Sequence, residues 1–366
     1  MRFNRDNISG SDHQGFSLVE LMVTMAIFTV LLAGVFGAYF SQLENTTREY
    51  RSAESEIELG IGKQFVEQDL LLSGYGLADD YSPLAFDPRP ARVVNNTTSA
   101  TTPVPAAPGR IVGSDELYLM GTALGLKNRA SQGWSYFTSN TPTFRTWPDN
   151  REQIRDDDRV ILVEPSSKQI LVETVSGNWL FDYNAATPNV VAIPSGTTYG
   201  SPEIGTLIYG LYNGNTHDAN AKPFYTVRYY LAGTPPEICA DGTRSLLRAE
   251  SVESLTPVGG DPLMACVRDM QVAFGLDTDE NGNVDAWDDG GTTAALYSLE
   301  DMSARLKRIK VFLLVQSGGR DDGYTYPSAT VRVGEVGLGR DITLTAEQRK
   351  YRWHLVTLSV QPRNVR

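Results

Sequence analysis

Residues 16–40, FSLVELMVTMAIFTVLLAGVFGAYF, form an apolar run interrupted by one charged side chain, Glu20. At about 1.5 Å of rise per residue, a helix of this length crosses the roughly 30 Å hydrocarbon core of a bilayer. Gly34 and Gly37 do not argue against it, because glycine is common in membrane helices. A cleavable secretory signal would have a shorter apolar core, about 7–15 residues, with its cleavage site after it. Here the polar-to-apolar junction, Gly15-Phe16, comes before the run. A plain single-pass anchor accounts for the length but not for Glu20. A carboxylate in a membrane helix costs up to about 2.5–3.5 kcal/mol at the bilayer centre, so it needs a partner. Arginines lie on both sides of the run (Arg2 and Arg5 before, Arg48 and Arg51 after), so loop charge does not set the orientation.

The residues Gly15-Phe16-Ser17-Leu18-Val19-Glu20-Leu21 resemble the class III signal of type IV pilins and pseudopilins. The resemblance implies that a prepilin peptidase cuts after Gly15 and that Phe16 becomes the N-methylated first residue. It also implies that Glu20 pairs with the terminal amine of a neighbouring subunit. The physics is compatible, since an amine and a carboxylate buried together each offset the other's desolvation. The leader, 1–15, would then be cytoplasmic. The chain would span the inner membrane once before assembly, with its bulk in the periplasm and later in an extracellular pilus.

No proline occurs before Pro83. Leu43, Thr47, Tyr50, Ala53, Ile57, Ile61, Phe65 and Leu72 recur mostly three or four residues apart, which predicts one face of an amphipathic helix. Gly60 and Gly62 weaken that helix locally, and Gly74 and Gly76 are candidate stops. The expected spine runs over 16–73, with a membrane half at 16–41 and an exported half at 42–76. Its stripe is expected to pack on the soluble domain.

From residue 77 to 366, short apolar or alternating runs sit between Gly, Pro, Asn and Asp clusters. Strands are predicted at 117–120, 159–164, 169–174, 224–231, 270–276, 309–315 and 353–360. Residues 95–109, 141–150 and 185–202 read as loops by composition. The fold class is therefore α+β: a long N-terminal helix packed on a mostly antiparallel β-sheet domain. Residues 77–220 are left open as an extra β-rich elaboration, with a sub-boundary near 220. The segments FYTVRYYLAGT, SLLRAE, CVRDMQVAFGLDTDENG, LKRIKVFLLVQS and YRWHLVTLSVQPRNVR resemble PilW-type minor pilins. The 351 residues left after cleavage (366 − 15) favour that group over the shorter secretion pseudopilins. The resemblance implies other minor pilins, the major pilin and a tip adhesin as partners.

Residues 277–288 follow the spacing of a calcium loop. Oxygen ligands would come from Asp277, Asp279, Asn281, the Asn283 carbonyl, Asp285 and Asp288, with Gly282 at the sharp turn. Two features depart from an EF-hand: the last position is Asp288 and not glutamate, and the preceding VAFGL reads as a strand. The alternative is a hairpin turning at Asn281-Gly282 with solvated aspartates. Cys239 and Cys266 do not form a CxxC, and His13, His217 and His354 are scattered, which disfavours a Cys/His zinc site. In an oxidising compartment the two cysteines are expected to pair; two separate buried thiols are the alternative.

The net charge of −12, from 44 acidic and 32 basic residues, disfavours a general nucleic-acid binder, because phosphate backbones select basic surfaces. No Ser/His/Asp or Cys/His arrangement supports an enzyme. The expected function is that of a minor pilin in pilus assembly and tip architecture. A type II secretion pseudopilin, or a membrane-anchored adhesion domain outside any filament, are the alternatives.

Overall fold

The structure, a computed structural model, describes residues 17–81, 84, 88–96, 110–139, 144–149, 152–172, 177–183, 203–213, 220–291, 294 and 297–364. Helix α1 spans Leu18–Leu72. The chain divides into two compact units, Met1–Ser52 and Ala53–Arg366. In the first unit every described residue from 17 to 51 is exposed. That is the burial expected of a segment whose apolar surface is matched to lipid or to other chains and not to its own fold.

In the second unit the last turns of α1 lie across an antiparallel sheet. The strands of that sheet are β1 (Ala91–Val94), β2 (Glu116–Gly121), β7 (Tyr225–Ala232), β8 (Arg244–Ser251), β9 (Asp261–Leu276), β11 (Leu306–Ser317) and β14 (Arg352–Val360). They are arranged in the order β1-β2-β7-β8-β9-β11-β14, and β10 (Ala286–Asp288) pairs with β9. A short helix α2, Leu299–Arg305, leads into β11 and starts with a capping box between Ser298 and Asp301. Four further strands, β3 (Trp134–Tyr136), β4 (Asp158–Val163), β5 (Phe181–Asp182) and β6 (Leu207–Asn213), form a separate sheet in the order β3-β6-β4-β5. A hairpin of β12 (Thr330–Val333) and β13 (Arg340–Thr343) completes the described strands.

The central strands are buried on both faces. Val311, Leu313 and Val315 of β11 join the core under α1 with Val66 and Leu70. Phe312 and Leu314, pointing the other way, pack with Val333 and Ile342 of the β12–β13 hairpin and with Trp353. This two-sided burial is why LKRIKVFLLVQS reads as a nearly continuous apolar run and not as an alternation. Farther along that face, Arg228 donates to the Glu116 carboxylate at 2.8 and 3.0 Å and lies over the Tyr118 and Tyr230 rings. The second sheet has its own core, including Phe137, Phe144, Val160, Leu162, Phe181 and Ile208.

The α+β class stands as read from the sequence. Residues 77–220 divide between the two sheets: β1 and β2 extend the main one, and the second sheet is built wholly from this stretch. The predicted strand at 169–174 is instead a pair of isolated bridges, Asp80 to Gln169 and Val163 to Ile170, with 173 and 174 outside the described residues. Strands β1, β3, β5, β6, β8, β10, β12 and β13 are not among the predicted ones. Their short lengths or mixed burial give only a weak period of two.

The helix stripe needs correction. Ile57 and Ile61 are 65% and 52% exposed, while the buried helix positions are Gly62, Val66, Asp69 and Leu70. The face that docks is thus small and polar at several positions, and hydropathy periodicity could not reveal it. Gly62 is a point of close approach: a Cβ there would fall 2.6 Å from the Met264 side chain and 3.3 Å from the Leu263 carbonyl oxygen. At Gly60 nothing lies within 4 Å of such an atom. Gly62→Leu should therefore cost about 1–3 kcal/mol through overpacking. Gly60→Ala should add about 0.5–1 kcal/mol by removing helix-interior glycine. Thermal unfolding of the full chain in micelles, followed by circular dichroism, should separate the two in sign.

Candidate functional site

The start of α1 and the loop after β9 carry the expected chemistry, and the structure adds a third group at the docking end of α1. Gly15 and Phe16 lie outside the described residues. Glu20 is described, and it closes a reciprocal cap. The Ser17 hydroxyl accepts from the Glu20 amide at 3.2 Å, and the Glu20 carboxylate accepts from the Ser17 amide at 3.1 Å. The Ser17-x-x-Glu20 spacing carried this signal in the sequence. The helix N-terminus, with its partial positive charge, also favours the carboxylate.

The docking end of α1 meets the strands in spatial order. Gly318, just after β11, donates to the Ser55 hydroxyl, and the Ala265 amide of β9 donates to Glu58 at 2.6 Å. Asp69, 1% exposed, then accepts from Arg248 Nε of β8 at 2.7 Å and from the Tyr229 hydroxyl of β7 at 2.5 Å. Arg248 also donates to the Leu124 carbonyl at 2.7 Å and to Glu250 at 2.5 Å, so each of its guanidinium nitrogens is hydrogen-bonded. Burial pushes the Asp69 carboxyl up, against the pull of Arg248 and Tyr229. Burial disfavours the charged Arg248 too, but Asp69 outweighs it and holds the guanidinium above its usual range. The chain leaves the helix through Gly74 and Gly76, at φ of 82° and 70°, and the Gly74 amide donates to the Met120 carbonyl of β2 at 2.8 Å. Asp69 was not singled out from the sequence. Its spacing with Gly62, Val66 and Ser73 is the signal that could have found it.

The loop joining β9 to β10 brings together three of the expected oxygen ligands. Asp277, Asp279 and Asp285 each place one carboxylate oxygen within 4.8 Å of the others. Asp277, 2% exposed, accepts from the amides of Asn281 (3.0 Å) and Gly282 (2.7 Å). Asp279 accepts from the Asn281 side chain, whose oxygen in turn accepts from the Asn283 amide. Asp285 accepts from the Thr278 hydroxyl and amide. Asp288 is not brought to this group. It lies on β10 opposite Phe274, and its carboxylate accepts from the amides of Gly290 and Ala294. The flanking elements are strands, as VAFGL suggested.

Cys239 and Cys266 form a disulfide. It ties the β7–β8 connection to β9 at Cys266, where the β8–β9 register shifts and Cys266 takes a φ of 54°. A shift of register with one residue out of pairing is a β-bulge, which turns the Cys266 side chain toward the connection.

The prokaryotic N-terminal methylation motif matches residues 10–36. With the long apolar helix and the antiparallel domain, it places the chain in the prepilin-like class. The family described as Type IV Pilus-assembly protein W matches residues 224–364, which hold β7 to β14. Together the two matches support a PilW-type, prepilin-like protein with a part in pilus assembly, the family match covering the C-terminal part of the chain. No curated protein and no solved structure gives a significant match to it. The second sheet lies outside both matched segments.

The Asp69 contacts make a strong demand on stability. Asp69→Ala should cost about 3–5 kcal/mol by leaving buried Arg248 with Glu250 alone and the Tyr229 hydroxyl without its acceptor. Tyr229→Phe should cost only about 0.5–1.5 kcal/mol, the worth of one hydrogen bond. Thermal unfolding of both variants in micelles checks the order, and an Asp69→Ala chain as stable as the parent would refute the anchor.

Proposed function

We propose that this chain is a minor pilin that enters or primes a type IV pilus. The observation that carries the reading is the methylation motif at the head of a helix whose apolar surface is left uncovered by its own fold. A prepilin peptidase would remove residues 1–15, and the helix would wait in the inner membrane with the bulk of the chain in the periplasm. Glu20, capped by Ser17 in the single chain, would exchange that local partner for the Phe16 amine of a neighbour during extraction. Ile57 and Ile61, exposed on the side of α1 turned from the sheet, would then pack against neighbouring pilin helices. The domain on the docking end would offer its surface to other minor pilins or a tip adhesin. This is an assembly role and not a catalytic one. The match to the pilus-assembly family favours a pilus over a type II secretion pseudopilus.

N-terminal mass spectrometry on protein from membranes and from sheared pili tests the reading. Mature protein should begin at methylated Phe16, and Gly15→Ala should retain the leader. Glu20→Ala and Ile61→Asp should each leave the membrane pool intact and deplete the chain from pili by about tenfold or more, as for loss of a buried contact worth over about 1.4 kcal/mol. A native chain that still begins at Met1 would end the proposal.

We also propose a calcium ion in the loop after β9, held by Asp277, Asp279 and Asp285 with oxygen from Asn281. What supports it is the convergence of three carboxylates, one of them nearly buried and oriented by two loop amides. With Asp288 committed elsewhere, affinity should be weak, about 10⁻⁴–10⁻³ M as in extracellular modules. Calcium titration calorimetry of the full chain in micelles should give a saturable heat that disappears in Asp277→Ala. Absence of heat at millimolar calcium would leave the hairpin turn as the whole explanation.

A further inference from the structure

A cleft of about 580 Å³ opens where the docking end of α1 meets the second sheet. That volume lies within the usual range for a small-molecule site, roughly 300–1,000 Å³. Its aromatic wall is Trp134 of β3, and Tyr75 lines it from just past the helix. Trp134 is braced from behind. Trp147, which does not line the cleft, stacks on it with ring centroids 4.5 Å apart and gives its own indole N–H to the Trp134 carbonyl at 2.6 Å. The Trp134 amide is bonded to the Glu152 carbonyl at 3.3 Å, so the strand that carries the ring is fixed on both sides. A large flat side chain is thus held in place and left half-buried at the wall of the cleft.

The charged side chains that line the cleft are Arg129, Arg155, Asp149 and Glu152. The Arg129 guanidinium is committed to Asp158 and to the Gln153 carbonyl. Gln132 gives its amide N–H to the Ala123 carbonyl at 3.2 Å and keeps its oxygen as an acceptor. Glu152 is exposed. It lies close enough to Tyr75 to add, after burial and Tyr209, to the rise of that phenol above its usual range, so Tyr75 remains a neutral donor. A braced aromatic plane with donors and acceptors at its edge suits a ligand that is apolar on one face and hydroxylated at its rim. An anion would want a guanidinium free of carboxylate, whereas Arg129 is held by Asp158.

We propose that this cleft binds a neutral carbohydrate, one pyranose ring lying on Trp134 with its hydroxyls bonded to Glu152, Gln132 and Tyr75. All of these residues fall between the two segments matched by families. It is independent of filament entry: the cleft is complete in a single chain, and its test does not require a pilus.

The experiment uses the full chain in dimethyldodecylamine oxide micelles, which carry no sugar, titrated with chitotriose and with maltotriose. Saturation-transfer NMR reads the sugar ring protons, and tryptophan fluorescence reads the protein. At least one trisaccharide should bind saturably, with a Kd in the millimolar range or tighter, about −4 kcal/mol or better. Trp134→Ala should weaken it by about tenfold or more, and Glu152→Gln, an exposed isostere, by about threefold. Trp287→Phe, remote from the cleft, should leave it unchanged. If Trp134→Ala lowers the thermal midpoint, Glu152→Gln alone decides. No saturable signal from either sugar at about 20 mM, or native-like binding by Glu152→Gln with Trp134→Ala folded and unaffected, overturns the proposal. So does displacement of the sugar by choline or inorganic phosphate, which would mark a site selecting charge.

Discussion

The structure turns on one buried ion pair. Asp69, in the last turns of α1, meets Arg248 on β8 and Tyr229 on β7, and all three are sealed from water. A carboxylate in that position is tolerable only with its guanidinium in place, and the guanidinium only with its carboxylate. The pair therefore fixes which residue of the helix lies over which strand. Apolar packing alone does this poorly, since Val66 and Leu70 could slide by a turn at modest cost.

Around that pin the remaining contacts follow from geometry. The helix crosses β11, β9, β8, β7 and β2 in turn, and at each crossing it offers a small or polar group: Ser55, Glu58, Gly62, Asp69, then the Gly74 amide. Gly62 lets the backbone come close to Met264, and the two glycines beyond the helix let the chain turn down onto β2. Because the docking face uses small and polar groups, the larger apolar side chains Ile57 and Ile61 are left outward. One helix thereby presents two faces, one buried against its own domain and one left exposed.

The division of the soluble region has a similar logic. Strands β7 to β14, matched by the pilus-assembly family, form most of the main sheet and receive the helix. The stretch before them contributes β1 and β2 to that sheet and then builds a second sheet with a separate core. The disulfide pins the β7–β8 connection to a bulge in β9, in the matched part of the chain. The second sheet thus has a core of its own, apart from the domain held by the helix, the two-sided core and the crosslink.

Much was legible in the sequence where the signal is local. The apolar run with Glu20, the glycines closing the helix, the central strands and the pairing of Cys239 with Cys266 depend on composition, period and compartment, and all are carried by neighbouring residues. What only the tertiary structure decided was partnership at a distance. Periodicity counts apolar side chains, so it chose the Ile57–Ile61 side, whereas the sheet selects the side with Gly62 and Asp69 because Met264 and Arg248 wait there. Loop spacing set six oxygens on one register, but the β9–β10 pairing opposite Phe274 turns Asp288 away from Asp277, Asp279 and Asp285. A linear sequence fixes what each residue can offer; the fold decides which offers meet, because the matching groups are contributed by strands far apart along the chain.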